Sequence, residues 1–141
     1  MDPIALAQHI TSTFEDVAVT EAYGYTFFFY GDDRMMPFAT MIAQDTEHDR
    51  VSNLDRPGVY RLNLGVEKTT FRRLFDAVAS EPDYTALDRL MPHPEYAAQS
   101  WLCVLTPSDE TFARDVQPLI DEAYRLARRR QERKTAAVSA E

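Results

Sequence analysis

Leu87-Asp-Arg-Leu-Met-Pro-His-Pro-Glu-Tyr96, Ala97-Ala-Gln-Ser100, Trp101-Leu-Cys-Val-Leu-Thr-Pro107 and Ser108-Asp-Glu-Thr-Phe112 run on without a break, and their reading decides the architecture. The first piece is a stiff loop bounded by prolines. It feeds an apolar strand from Ser100 to Leu105, which holds the only Trp and the only Cys. Ser108 is a good N-cap for a final helix with Phe112, Val116, Leu119, Ile120, Ala123, Tyr124 and Ala127 inward. Pro118 falls inside that helix and predicts a kink or a brief break. Trp101, leading the strand, is expected to be buried against Phe112 and Leu119.

Upstream, Asp2 and Pro3 have the chemistry of an N-cap and a first helical position. Ile4, Ala7, Ile10 and Phe14 then predict a helix over 3–14 with one apolar face. Val17, Val19 and Glu21 suggest a strand. Tyr23-Gly24 can turn the chain into Tyr25-Thr-Phe-Phe-Phe-Tyr30, the strongest strand signal present. Gly31-Asp32-Asp33 is a turn cluster, and 37–43 reads as a third strand with Pro37 at its start. The polar stretch 44–58 is a long loop, a class that is often functional. Val59 to Leu64 alternates, with Tyr60, Leu62 and Leu64 on one face and Val59, Arg61 and Asn63 on the other. Phe71, Leu74, Phe75 and Val78 mark a second helix, and a short helix is expected around Thr85–Leu90.

The resulting order is α-β-β-β-β-α-α-β-α. Short turns between neighbouring strands imply an α+β fold, with an antiparallel sheet of about five strands and helices mainly on one face. Residues 1–134 form one domain, and the small polar residues of 135–141 should fray. The aromatic strand 25–30 is apolar on both faces, so a loop, a partner or a ligand must cover its second face.

The net charge of −8 is uneven. Residues 125–134 carry six basic groups against Glu132, and the remaining body holds nine basic and 22 acidic residues. Such a body repels nucleic acid and anionic membrane, so neither is an expected partner. The basic run reads first as a solvated helix end. One cysteine excludes an intrachain disulfide, and the start Met-Asp-Pro has no signal-peptide pattern, so a cytoplasmic location is expected.

No strong catalytic constellation is present. His93, between two prolines, could exchange a proton near neutrality, or simply hydrogen-bond backbone. Cys103 lies mid-strand among apolar neighbours and should be an inert core residue. Asp45, Glu47, His48 and Asp49 include metal-ligand types, but lack metal-site spacing and read as a solvated acidic loop. No phosphate loop or nucleophile elbow exists, and no cofactor or metal is expected. The best site candidate is a ligand surface on the strand face carrying Arg61 and Asn63, with Arg56 and His93 at its rim. An Arg fork, an amide and aromatic walls could hold a planar or carboxylate-bearing ligand. The bland alternative is a surface Arg61 paired with Asp55 or Glu67.

Thr-Phe-Phe-Phe-Tyr (26–30), Pro-Phe-Ala-Thr (37–40), Asp-Arg-Pro-Gly-Val-Tyr-Arg-Leu-Asn (55–63) and Leu-Met-Pro-His-Pro-Glu-Tyr-Ala-Ala-Gln-Ser-Trp (90–101) resemble a family of bacterial proteins catalogued only as a domain of unknown function. That resemblance implies the fold and no activity. More distantly, the element order, the Trp-led strand and Ala-Tyr-Arg-Leu (123–126) look like the MmcQ/YjbR group. That group has a double-wing α+β fold, and some of its members are labelled DNA-binding. The acidic body departs from a DNA-binding pattern. The expectation is a non-enzymatic module that binds a small molecule or a protein on the open sheet face. The alternatives are an enzyme using His93 as acid–base, and nucleic-acid binding through the basic C-terminal helix.

Overall fold

A computed structural model describes residues 1–32, 34–76 and 81–139, the last two without their side chains. Asp2 caps α1 (Pro3–Thr13), its carboxylate accepting the Ala5 N–H at 2.7 Å, with Pro3 in the first turn where no donor is needed. Leu6 and Ile10 form the buried stripe of α1, with Ala7 and Phe14 beside it, while Ile4 is exposed. Residues three apart drift by about 60° per step around a 3.6-residue helix, so Ile4 falls outside the stripe on which it was expected.

β1 (Val17–Ala22) and β2 (Tyr25–Tyr30) form a hairpin with Ala22 opposite Tyr25. Its two turn residues, Tyr23 and Gly24, both have positive φ, +57° and +85°, as tight hairpins require. β3 (Ala39–Ile42), β4 (Arg61–Gly65) and β6 (Trp101–Leu105) continue the sheet. β5 (Met91–Pro92) is a two-residue edge strand within the stretch expected to be loop. The six strands lie in the order β1-β2-β3-β4-β6-β5, each pair antiparallel. α2 (Lys68–Phe75) follows β4. Val78, expected on that helix, and Asp33 of the 31–33 turn lie outside the described residues.

No helix forms over Thr85–Leu90. That stretch is too short to nucleate one alone, and Asp83 just before it and Asp88 within it bond the backbone instead. Asp83 Oδ1 accepts the Thr85 N–H at 3.0 Å, and Asp88 Oδ1 accepts the Ser108 N–H at 2.8 Å. At the C-terminus, Ser108 Oγ accepts the Thr111 N–H. α3 (Asp109–Thr111), a π-helical turn (Phe112–Val116) and α4 (Gln117–Ser139) then run on as one helix. The break expected near Pro118 takes this π form, with the Gln117 N–H reaching back to the Phe112 carbonyl. Helical structure continues past Thr135, where fraying was expected.

Strand alternation sorts the two faces. Phe28, Ala39, Met41, Leu62, Leu64, Leu102 and Val104 meet Leu6, Ile10, Phe112, Val116, Ile120 and Tyr124 of the helices in the main core. A second cluster on the far face, Ile42, Leu54, Val59, Tyr84, Met91, Cys103 and Leu105, joins the sheet to the loops 44–58 and 81–90. Trp101 shares the alternation of Cys103 and Leu105. It therefore lies opposite the helices, away from Phe112 and Leu119, because Leu102 and Val104 are the helix-facing positions of β6.

Candidate functional site

The pairing register lays side chains in rows across the far face. One row is Tyr25, Ile42, Arg61 and Leu105; the next is Phe27, Thr40, Asn63, Cys103 and Met91. His93 extends this pattern beyond β5 by donating its N–H to the Trp101 carbonyl at 2.9 Å. A cavity of about 510 Å³ opens over the second row. Phe27, Thr40 and Asn63 form its floor, Tyr25, Trp101 and His93 its walls, and Tyr23, Met36, Pro37, Glu95, Tyr96 and Gln99 its rim. Gly65 makes room for the Trp101 indole: a Cβ there would lie 2.9 Å from Trp101 Cε2.

Arg61 occupies the adjoining row and is 0% exposed. Asp49, on the 44–58 loop, clamps it in a two-point ion pair, Nη2 to Oδ2 at 2.6 Å and Nη1 to Oδ1 at 3.1 Å. Arg61 also donates Nη1 to Ser52 Oγ and Nε to Asn63 Oδ1, both at 3.0 Å. Asn63 Nδ2 passes the chain on to Thr40 Oγ1 at 3.0 Å. The Tyr25 hydroxyl donates to Asp49 from the other side. Burial works to raise the Asp49 pKa, but the Arg61 and Tyr25 hydrogen bonds outweigh it and hold the carboxyl below its ordinary value. Burial likewise works against the charge on Arg61, and Asp49 more than restores it.

His93 Nδ1 accepts two backbone N–H groups, from Glu95 and Tyr96, each at 3.0 Å. That local turn requires Nδ1 to stay unprotonated, which places the ring proton on Nε2. Burial, aided by the Arg61 charge, pushes the His93 pKa down to about 4. At neutral pH the ring is therefore an uncharged donor on the cavity wall.

The structure separates the four residues singled out by sequence. Asn63 and His93 line the cavity. Arg61 touches Asn63 but is buried behind it, paired with Asp49 rather than with Asp55 or Glu67. Asp55 holds the Asp45 N–H, and Glu67 pairs with Arg129. Arg56 ties loops together by donating to the carbonyls of Asn53, Ser52 and Thr85; it is not among the lining residues. Asp49, read as part of a solvated acidic loop, is folded inward as the counter-ion. No local signal in 44–58 distinguishes it from Asp45 or Glu47. Tyr23, Glu95 and Tyr96 were also missed, although Tyr23 sits in the recognised turn and Glu95 and Tyr96 in the recognised proline loop.

Cys103 is wholly buried, and burial raises its thiol pKa to about 12. A small alkylating reagent at neutral pH should leave it unmodified in the folded protein and label it rapidly in urea. Mass spectrometry after timed exposure checks this.

Among the described residues, no helix is long and apolar enough to cross a membrane. No curated protein and no solved structure matches the chain significantly, and no comparison connects it to the MmcQ/YjbR group. The expectation drawn from the strand and loop motifs is met over nearly the whole length: the model of DUF6194, a family of unknown function, matches residues 1–136, and the chain belongs to that family.

Proposed function

We propose that this chain is a non-enzymatic binding module of the cytoplasm that takes a small, largely apolar molecule into the cavity over Phe27, Thr40 and Asn63. The observation that carries this reading is the concave aromatic lining, Tyr23, Tyr25, Phe27, Tyr96 and Trp101, around a few polar groups. A cavity of this size and make-up is the usual form of a small-molecule site. Asn63 and His93 would meet the ligand, Arg61 would hold the Asn63 amide in place, and Arg56 would brace the loops around the site.

His93 argues against the acid–base alternative. Its Nδ1 is committed to two backbone donors, and its low pKa removes it from the range useful for proton exchange at neutral pH. Nucleic-acid binding is also disfavoured, since Arg128 and Arg129 of the basic run pair with Glu132 and Glu67.

Trp101 is the only tryptophan and lines the cavity, so its emission should report occupancy. A panel of planar and apolar metabolites should contain members that change Trp101 fluorescence saturably and raise the melting temperature. Gly65→Ala should displace the indole and abolish both responses while the far-ultraviolet circular dichroism is kept. A hit whose titration is the same in Gly65→Ala would place binding elsewhere, and a panel with no saturable response would count against the site.

A further inference from the structure

Resting on the reading of this cavity as a binding site, we propose that its ligand is a small organic cation, an alkylated or quaternary ammonium compound held by the aromatic walls with Glu95 at the mouth. The lining residues divide clearly by charge. Among the described lining residues none is Lys or Arg, and Glu95 is the one acidic side chain. Arg61, bonded to Asn63, is fully buried and held by the two-point contact with Asp49, and the Arg34 guanidinium stands over Phe29, outside the lining. Neither guanidinium is among the lining residues, so the carboxylate first suggested by an Arg on this face finds no Arg donor in the cavity. His93, the remaining basic side chain on the wall, has its Nδ1 occupied by backbone donors and offers only a neutral N–H.

The walls, by contrast, suit a cation. Aromatic faces carry negative potential, and several converging on one point attract an ammonium while also covering its alkyl groups. Tyr23, Tyr25, Phe27, Tyr96 and Trp101 bring aromatic rings to the lining from four parts of the chain: the hairpin turn, β2, the loop leading into β6, and β6 itself. A quaternary ammonium needs no hydrogen-bond acceptor, which fits a lining with few polar groups. Tyr23 adds a second indication. It is 89% exposed and holds a φ of +57°, a conformation that a bulky residue adopts only at a cost. Asn or Gly would serve the turn better, and an aromatic ring there gains its place from what it does at the rim. The exposed rings of Tyr23 and Tyr96 flank the same opening as Glu95. The acidic body of the chain would also draw cations toward that opening.

The test uses three probes of similar size and different charge on the full chain: benzyltrimethylammonium, benzyl alcohol and benzoate. Trp101 fluorescence and the melting temperature are followed for each. Benzyltrimethylammonium should bind saturably and about tenfold more tightly than benzyl alcohol, with benzoate weakest. Glu95→Gln, an exposed substitution that should leave the fold intact, should weaken the cation several-fold, by roughly the worth of one partly exposed ion pair, and leave benzyl alcohol unchanged. Tyr96→Leu should also weaken the cation preference. Equal or tighter binding of benzoate or benzyl alcohol overturns the cation assignment while leaving the binding site standing. Saturable cation binding that neither Glu95→Gln nor Tyr96→Leu alters overturns it as well. If none of the three probes binds, the cation assignment fails; if the metabolite panel is silent too, the site reading fails with it.

Discussion

Asp49→Ala should destabilise the protein by about 3–5 kcal/mol, the usual consequence of leaving a buried charge without its partner. Arg61 is 0% exposed, and the Asp49 side chain itself is only 16% exposed. Without the carboxylate, two of the four donor contacts of Arg61 are lost, and the Tyr25 hydroxyl loses its acceptor as well. The loop 44–58 then loses its main polar tie to the sheet, although Ser52 still reaches Arg61 and Leu54 still packs in the second cluster. The same expectation distinguishes a charge effect from simple loss of packing. Arg61→Met in the Asp49→Ala background should recover a large part of the loss, because it removes the unpaired charge and keeps much of the volume. Urea unfolding of the two single variants and the double variant checks this. A double variant as unstable as the sum of the singles would mean that the pair acts through packing alone.

Acidification from pH 6.5 to pH 4 should cost about 3 kcal/mol of stability through His93 alone, given a folded pKa of about 4 against an ordinary value near 6.5. The sign follows from proton binding. Between those two values the unfolded chain takes up a proton on this ring and the folded chain does not, so stability is present above the upper value and falls as the pH drops toward the lower one. The cause is structural: burial and the Arg61 charge disfavour the imidazolium, with Asp49 opposing them only in part. Protonating Nδ1 would also displace the Glu95 and Tyr96 N–H groups that it accepts. His93→Asn provides the control. Its side-chain oxygen can accept the same two backbone donors, as in an Asx turn, and it does not titrate. Stability measured by urea unfolding across this range should therefore fall less steeply in the variant, by most of the 3 kcal/mol. Asp49, with its pKa held below the ordinary carboxyl value, loses its contribution only at still lower pH, so the two effects occupy different windows. Parallel curves for wild type and His93→Asn would show that the ring is not the titrating group.

Much of the architecture is visible in local chemistry. The caps at Asp2 and Ser108, the Tyr23-Gly24 turn and the alternation of 59–64 each depend on residues within a few positions of one another, where geometry is set by the chain itself. The same alternation correctly separates Arg61 and Asn63 from Tyr60, Leu62 and Leu64. Other elements hang on more distant neighbours. β5 has only two residues and exists because β6 offers it an edge. Thr85–Leu90 turns rather than coils because Asp88 bonds to Leu105 of β6 and to Ser108, the cap of the final helix.

The candidate site divides in the same way. By itself, the sequence determined that Arg61 and Asn63 share a face, that β2 carries aromatic side chains, and that His93 sits in a stiff loop, all from spacing and proline geometry. Tertiary structure alone decided that Asp49 folds in to pair with Arg61, that Trp101 turns to the cavity and not to the helices, and that Glu95 is the one acidic side chain on the described lining. These outcomes depend on which strand neighbours which and on where a loop returns. A buried Arg must find a counter-ion, but several carboxylates in 44–58 could supply it, and only the folded path of the chain selects one.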